Sequence, residues 1–600
     1  MTALKTRAEL DPAMTWDLTQ IYISDEEWEK EFGSLDRLLS RFLGCKGHLA
    51  DSPAVLKEAL EADDALSLVM ERLYVYAHLK ADEDTGNSES QARMDRISAR
   101  SAEISGECAW FQPELLAMDE ALFNEYLNAD ILSFYRRTLE EIGEERKHTL
   151  SDKEERILSL ASDVLSTPDK VFSLLNNADM RFPEIVDDNG GKKELTHGNY
   201  NRFLESADRN VRKGAFEAMY DTYAKFKNTL AALLDSQVKT GVLESELRSF
   251  PSALEASLFA DKVPAGVYNG LIDSIHRNIG LIHDYFKFRA EILGLEKLDM
   301  YDIHTPLLPE CRLEVTWDEA VKEVCDSLKI LGSEYHSAIG QAFEKRWIDV
   351  PECRGKRSGA YSSGCYGTPP FMLLNFVGTL DSMFTLTHEL GHSMHSYFSD
   401  RNQDFHYASY KIFVAEVAST TNELLLHHHL LRKADDLKVR AYLLNHLIEE
   451  FRGTVFRQTM FAEFERDIYA FAEEGTPLTA DLLCDHYFKL NQFYHGDGVA
   501  PDDRIRYEWS RIPHFYYDFY VYKYATGFSA AAALARKIIA GETAPYIQFL
   551  KAGDSKDVLD IMKDAGVDFI NGDPVGDALE FFRENMLELR NVMQQLKPGK

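Results

Sequence analysis

Apolar side chains recur at helical spacing along most of this chain, and no other feature constrains its fold as tightly. Segments near 53–82, 89–126, 130–146 and 151–166 each place apolar residues on one helical face with charges between them. Asp25 stands where it would cap a helix beginning Glu26-Glu27-Trp28. The period resumes near 198 and runs to about 295, with Pro251, Pro264 and Pro306-Leu307-Leu308-Pro309 as interruptions. Another helix is expected at 317–345. Such a chain is mainly α. Its first ~180 residues hold no reactive constellation and read as helical scaffold. Hydrophobic residues make up 45% and aromatic residues 12% of the 600, enough for large cores, so disorder, collagen and a coiled-coil rod fit poorly. At roughly 100–200 residues per domain, a large helical enzyme could fuse several such units into one body.

Two places break the helical pattern. Arg181 to Val186, Asp187-Asp188-Asn189-Gly190-Gly191, and Lys192 to Thr196 predict a β-hairpin with an Asn-Gly turn. It divides an N-terminal helical domain, 1–196, from the remaining domain, 197–600. The second break is 354–380, where Ala360-Tyr361-Ser362-Ser363-Gly364 and Phe371-Met372-Leu373-Leu374-Asn375-Phe376-Val377 flank a Gly/Pro turn. Two short strands in a small sheet are expected. The glycines lack the spacing of a phosphate loop, which argues against nucleotide binding. The strand near 359–363 is either ordinary sheet or an edge along which an extended peptide can pair.

Charge excludes several partners. Lys and Arg total 66 against 99 Asp and Glu, a net of −33, which disfavours nucleic acid and anionic membrane surfaces. No stretch reaches the ~18–20 apolar residues of a membrane span. Met1-Thr2-Ala3-Leu4-Lys5-Thr6-Arg7 runs into Glu9 and Asp11 without the apolar core of a signal peptide. Seven scattered cysteines form no C-x-x-C pair, so a disulfide framework is not expected and the cytoplasm is the simple inference.

The reactive residues lie further on. Asp381 to Thr387 leads into His388-Glu389-Leu390-Gly391-His392, an H-E-x-x-H pattern expected by chance about 0.05 times in this length. On a helix, residues four apart are turned by only ~40°, so both imidazoles project from one face. That suits two ligands of tetrahedral zinc, with Glu389 beside the open position to take a proton from water. Leu386, Leu390, Met394 and Tyr397 form a packing stripe off the histidines. Gly391 costs the helix about 1 kcal/mol relative to Ala, which a close approach of other atoms would explain.

A third ligand is required. A metzincin needs Gly at 395 and His at 398, where this chain has His395 and Phe398. Downstream, Phe413, Val417, Leu424 and Leu425 can face a core, and Glu416, Ser419, Thr420 and Glu423 share another face. A carboxylate on such a helix is costly unless paired or metal-bound, which makes Glu416 the candidate ligand. Glu423 and Ser419 are candidates to orient an imidazole N–H. The alternative for either glutamate is a solvated charge.

H-E-L-G-H-x-x-H, Glu416 24 residues after His392, and Glu423 seven further on resemble the thimet oligopeptidase superfamily of zinc peptidases, and its oligoendopeptidase F branch above all. The likeness spans nearly the whole chain. It takes in the acidic helical N-terminal region, the hairpin, and Gly359 to Gly364. It also takes in Arg511-Ile512-Pro513-His514-Phe515-Tyr516-Tyr517-Asp518-Phe519-Tyr520-Val521-Tyr522-Lys523-Tyr524-Ala525-Thr526-Gly527. The resemblance implies a mainly α protein of two helical lobes enclosing a deep substrate channel, with a small β-sheet beside the zinc site. It implies one Zn2+ per chain, short unstructured peptides as partners, and hydrolysis of their internal bonds. It also implies that a His and two Tyr of the tail segment stabilise the oxyanion; by motif position these are His514, Tyr517 and Tyr524. Tyr520 competes with the other tyrosines, and aromatic core packing is the alternative for each.

Other features carry less. Tyr494-His495-Gly496-Asp497-Gly498 suits a mobile loop over a cleft or a plain turn. Consecutive helical residues point ~100° apart, so His427-His428-His429 reads as partly solvated helix surface and not a second metal site. His395 is expected to pack or to support the ligands, and His406 carries no assigned role. The rival enzyme reading is a zinc carboxypeptidase or dipeptidyl carboxypeptidase, and the non-enzyme rival is a helical peptide-binding scaffold. The residues do not give an oligomeric state.

Overall fold

The computed structural model of the chain describes residues 4–309, 311 and 313–596, so Met1-Thr2-Ala3 of the N-terminal reading lies outside the described residues. The protein is mainly α. The elements that matter for the site are α1 (Pro53–Glu83), the hairpin β1 (Glu184–Val186) and β2 (Lys192–Glu194), α2 (Arg209–Leu247), β3 (Ile348–Pro351), β4 (Tyr361–Ser363), β5 (Phe371–Phe376), α3 (Leu380–Asn402), α4 (Ile412–Lys433), α5 (Arg457–Glu473) and α6 (Tyr522–Ile539). No helix among the described residues is long and apolar enough to cross a membrane.

The chain forms two compact units, each assembled from three stretches. The first is Met1–Asp152, Leu313–Leu426 and Leu534–Gly566; the second is Lys153–Arg312, His427–Ala533 and Val567–Lys600. The hairpin lies within the second unit. Helices share a core according to which apolar faces meet, whatever their chain order. The hairpin pairs Glu184 opposite Glu194. Its Asn189-Gly190 pair sits inside a longer loop, closed by the Asp187 N–H donating to the Gly191 carbonyl at 2.8 Å.

In the first unit, α1 packs its apolar face into a core that includes Phe42, Leu56, Leu60, Phe123, Tyr126 and Leu139. The expected long helices are subdivided. The 89–126 segment is three helices, Ser88–Cys108, Phe111–Leu116 and Glu120–Leu127, the last capped by the Asp119 side chain. The 317–345 segment is broken at Gly332, whose φ of 93° a residue with a Cβ rarely adopts. Asp25 is the first residue of its helix, with Ser24 at the cap position.

The small sheet has three strands where the residues suggested two. Central β5 is parallel to β3 and antiparallel to β4, with Ser362 opposite Met372. The missed strand carries Asp349, fully buried and neutralised by Lys356 Nζ at 2.7 Å and an Arg7 guanidinium at 2.5 Å. A buried carboxylate requires such partners. Strand β4 forms one edge of the sheet.

In the second unit, Tyr494 and His495 end a helix (Ala480–His495) and Gly496–Gly498 form a single 3-10 turn. A Cβ on Gly496 would lie 2.6 Å from the His283 ring, so backbone and ring are in contact there. Immediately after it, Val499–Ala500 pairs in parallel with Leu298–Asp299. His427 also departs from expectation. It is buried, with Nε2 2.6 Å from the Leu443 carbonyl, and so is not solvated helix surface.

Candidate active site

Helix α3 starts where Thr379 Oγ1 accepts from the Ser382 N–H. Of the stripe, Leu386, Leu390 and Met394 are fully buried and Tyr397 is half-buried. On α4, Phe413, Val417, Leu424 and Leu425 are buried as well. The two helices touch at Gly391. A Cβ there would lie 2.4 Å from Ser419 Cα and 2.7 Å from Ser419 N, closer than real carbon atoms approach. The glycine admits the crossing, and the crossing sets residues 388 and 392 opposite 416 and 423.

Three ligand atoms converge there. His388 Nε2 and His392 Nε2 are 3.2 Å apart, and Glu416 Oε2 lies 3.2 Å from the first and 3.5 Å from the second. A tetrahedron of ligands at ~2.0–2.1 Å from zinc has edges of about 3.3 Å. The donor set thus has the chemistry and the spacing to hold a tetrahedral metal ion. Among the described residues, this is the one group of His, Cys, Asp and Glu arranged that way.

The carboxylate and imidazoles attract protons to the same point. Burial opposes a charged His388, but Glu416 and then Glu423 outweigh it and raise its pKa to about 11. Burial likewise opposes an ionised Glu416, and the two histidines overcome that and push it well below the usual carboxylate range. A metal ion must displace that proton. Affinity should therefore rise with pH across pH 5–8, by about tenfold per pH unit for each proton displaced. Metal content after dialysis at pH 5 and at pH 8 checks this; equal retention with a weak competing chelator present would count against the ligand set.

Glu389 is placed differently. It is buried, and its Oε2 has no hydrogen-bond partner within the protein. Burial raises its pKa, while His388 and His392 pull the other way. A carboxylate with a free oxygen and raised proton affinity can act as a base.

Supporting residues came partly from expectation. Glu423 Oε1 lies 3.4 Å from His388 Nδ1, the far side of the ring, where a carboxylate orients an imidazole. Ser419 donates to the Glu416 carbonyl at 2.9 Å and to the Glu416 carboxylate at 3.2 Å. Two further contacts carried no sequence signal. Ser393, the residue after His392, shares a 2.7 Å hydrogen bond with Ser362 of β4, so the edge strand is tied to the helix beside the ligands. Asn422 Nδ2 reaches the Thr387 carbonyl at 3.4 Å and its oxygen accepts from Tyr335 at 2.9 Å. Serine and asparagine are too common on helices to single out by pattern.

His395 and His406 lie outside that cluster. His395 is buried and stacked on Tyr410 at 3.7 Å, and burial pushes its pKa down to about 3. It packs as a neutral ring. His406 pairs with Asp64 and Thr138, each at 2.7 Å.

The tail segment belongs to the second unit and sorts its aromatics into two sets. Tyr516 stacks on Phe172 at 4.5 Å and Tyr522 is fully buried, so both are core. Tyr517, Tyr520 and Tyr524 instead surround His514. Tyr524 Oη is 3.3 Å from His514 Nε2, and the Tyr520 ring lies parallel to the imidazole at 6.1 Å. Tyr517 meets its edge at 6.1 Å and is 54% exposed. Burial lowers the His514 pKa, which favours the neutral ring with one N–H to donate.

Comparison with known proteins agrees with this chemistry. The family model for peptidase family M3 matches residues 202–581, and that for oligopeptidase F matches 114–182. Oligopeptidase PepF of Bacillus subtilis is 45% identical, covering 99% of this chain and 89% of its own. Group B oligopeptidase PepB of Streptococcus agalactiae is 41% identical, covering 98% of each. The crystal structure of oligoendopeptidase-F from Enterococcus faecium superposes with a TM-score of 0.74 at 38% identity, covering 95% of this chain and 99% of that one. An H-E-x-x-H helix crossed by a glutamate-bearing helix is what such an enzyme requires, and this chain belongs to peptidase family M3 as a metalloendopeptidase of the oligoendopeptidase F type.

Proposed function

We propose that the metal is zinc, one per chain, held by His388, His392 and Glu416, and that the enzyme cuts internal bonds of short unstructured peptides. The observation that carries this is the set of 3.2–3.5 Å separations among the three ligand atoms. Two imidazoles and a carboxylate also suit zinc better than the harder, all-oxygen divalent cations. A bound zinc ion supplies a Lewis acid that acidifies water and polarises the scissile carbonyl. Glu389 takes the proton of the attacking water and delivers it to the leaving amine nitrogen. His514 with Tyr517 and Tyr524 donates hydrogen bonds to the oxyanion. The short Tyr524–His514 distance supports those two acting together, and the stacked Tyr520 is the competing hydroxyl. The β4 edge offers backbone groups for an extended peptide, which would give broad sequence tolerance.

Residues 1–196 serve as scaffold and 197–600 carry the catalytic machinery in this reading; the matched spans 114–182 and 202–581 support that division. All seven cysteines are unpaired, which supports a cytoplasmic location. The net charge of −33 argues against nucleic acid and membrane partners.

The test is product mass spectrometry on unstructured peptides of ~5–20 residues, with a folded protein as control. Internal cleavage should vanish with chelator and return with zinc. Stepwise release of dipeptides or single residues from the C-terminus would replace this reading with the exopeptidase one. No cleavage under any metal condition would leave a peptide-binding scaffold.

A further inference from the structure

The catalytic segment contains an unusual backbone reversal. Five non-glycine residues among those described have positive φ, and only Asp518 (34°) and Phe519 (60°) are adjacent. Asp tolerates this region through local hydrogen bonds, whereas a Phe there is a genuine outlier. Glycine would adopt these angles freely. The surroundings must hold the strain.

They do so from four directions within the second unit. Asp518 Oδ1 accepts from the Tyr469 hydroxyl at 2.5 Å and from Gln237 Nε2 at 3.0 Å. Its carbonyl accepts from Ser257 Oγ at 2.8 Å. The Phe519 N–H donates to Glu465 Oε1 at 2.8 Å, and the Phe519 ring packs on Tyr469 at 4.5 Å and Tyr268 at 5.8 Å. Gly241 of α2 lets Tyr469 of α5 come this close: a Cβ there would meet the Tyr469 ring at 3.0 Å. Glu465 and Tyr469 are almost fully buried, so the anchor is rigid. Burial pushes the Glu465 carboxyl well up, against the hydrogen bond from the Phe519 N–H, and Asp518 nearby adds to the rise.

The reversal separates His514 and Tyr517 from Tyr520 and Tyr524. It turns the chain back so that Tyr520 stacks on His514 and Tyr524 reaches its Nε2. We propose that Asp518 and Tyr469 are positioning residues: they lock the left-handed Asp518–Phe519 reversal and thereby set the convergence of Tyr520 and Tyr524 on His514. This rests on the reading of the His514 cluster as oxyanion donors.

The experiment measures kcat, KM, metal content and melting of the zinc-loaded enzyme on a quenched fluorescent peptide. The variants are Tyr469→Phe, Asp518→Ala, Asp518→Asn, Tyr524→Phe, Tyr520→Phe, His514→Ala and the pair Tyr469→Phe/Tyr524→Phe. Misplacing a catalytic group by ~1 Å can cost about 100-fold. Tyr469→Phe and Asp518→Ala should each lower kcat by about 10- to 100-fold, with KM and metal content unchanged. Asp518→Asn, whose amide oxygen can still accept from Tyr469 and Gln237, should recover most of what Asp518→Ala loses. Tyr469→Phe should add little to Tyr524→Phe, because both disable one device.

Full kcat in Tyr469→Phe beside a depressed Tyr524→Phe would overturn the positioning role and leave the donor reading standing. Full kcat in His514→Ala, Tyr520→Phe and Tyr524→Phe alike would overturn the donor reading, and this inference with it. A lower melting temperature with unchanged kcat per folded enzyme would make the anchor purely structural and overturn the inference.

Discussion

Replacing Glu389 with glutamine should leave the protein folded and metal-loaded while lowering kcat by about 10²- to 10⁴-fold. Glutamine fills the same space. The carboxylate it replaces is not one of the three converging ligand atoms, so metal content should hold. What disappears is the proton acceptor, since an amide cannot take a proton from water. Stability gives a second readout. Burial raises the Glu389 pKa in the folded state. Such a group favours the fold when protonated and loses that contribution as pH rises through its folded pKa. At neutral pH the metal-free Glu389→Gln protein should therefore melt no lower than its parent. Steady-state kinetics with metal analysis decides the matter, and near-normal turnover at full metal content would remove Glu389 from the mechanism.

Gly391→Ala should cost both stability and metal, although alanine in a helix interior ordinarily adds about 1 kcal/mol. The new Cβ would sit 2.4 Å from Ser419 Cα and 2.8 Å from the Ala418 carbonyl oxygen. Those are backbone atoms, and no rotamer change moves them aside. The helices α3 and α4 must part, and overpacking of this kind typically costs 1–3 kcal/mol or more. Because the clash is with backbone, a cost near the upper end of that range is expected, which leaves a net loss of about 2 kcal/mol after the helix gain is set against it. Parting the helices also carries Glu416 away from His388 and His392. Metal affinity should fall by about 10- to 100-fold, as it does when a ligand's support is disturbed. Urea melts of the metal-free protein and competition titration with a zinc chelator measure the two effects separately. An alanine variant as stable as its parent would mean the crossing is not tight.

The candidate metal ligands were legible because the pattern on each helix is local. His388 and His392 share a helix face by spacing alone, and Glu416 stands on the polar side of a helix whose other side is apolar. Gly391 was legible too, as a helix-weakening residue that needed a reason. Strand β3 was not. It is four residues long and carries an aspartate, and its burial depends on Lys356 and on Arg7, more than 300 positions away in the chain. His427 was misjudged for a similar reason: the partner that makes its face an inside face is the Leu443 carbonyl of another helix. The tyrosines were hardest. Six tyrosines fall within 507–524, and periodicity cannot tell which reach His514 when the chain reverses at Asp518 and Phe519.

Residue order alone therefore determined the mainly helical class and pointed to His388, His392 and Glu416 as candidate metal ligands and to Glu389 as candidate base, since each pattern follows from side chains a fixed rotation apart on its own helix. Only the tertiary structure decided the 3.2–3.5 Å closure of His388, His392 and Glu416, the burial of Asp349, and the division of the tail aromatics between the core and the His514 cluster. Those depend on which atoms distant segments bring together. Close packing sets such contacts to tenths of an ångström, a precision that no one-dimensional period carries.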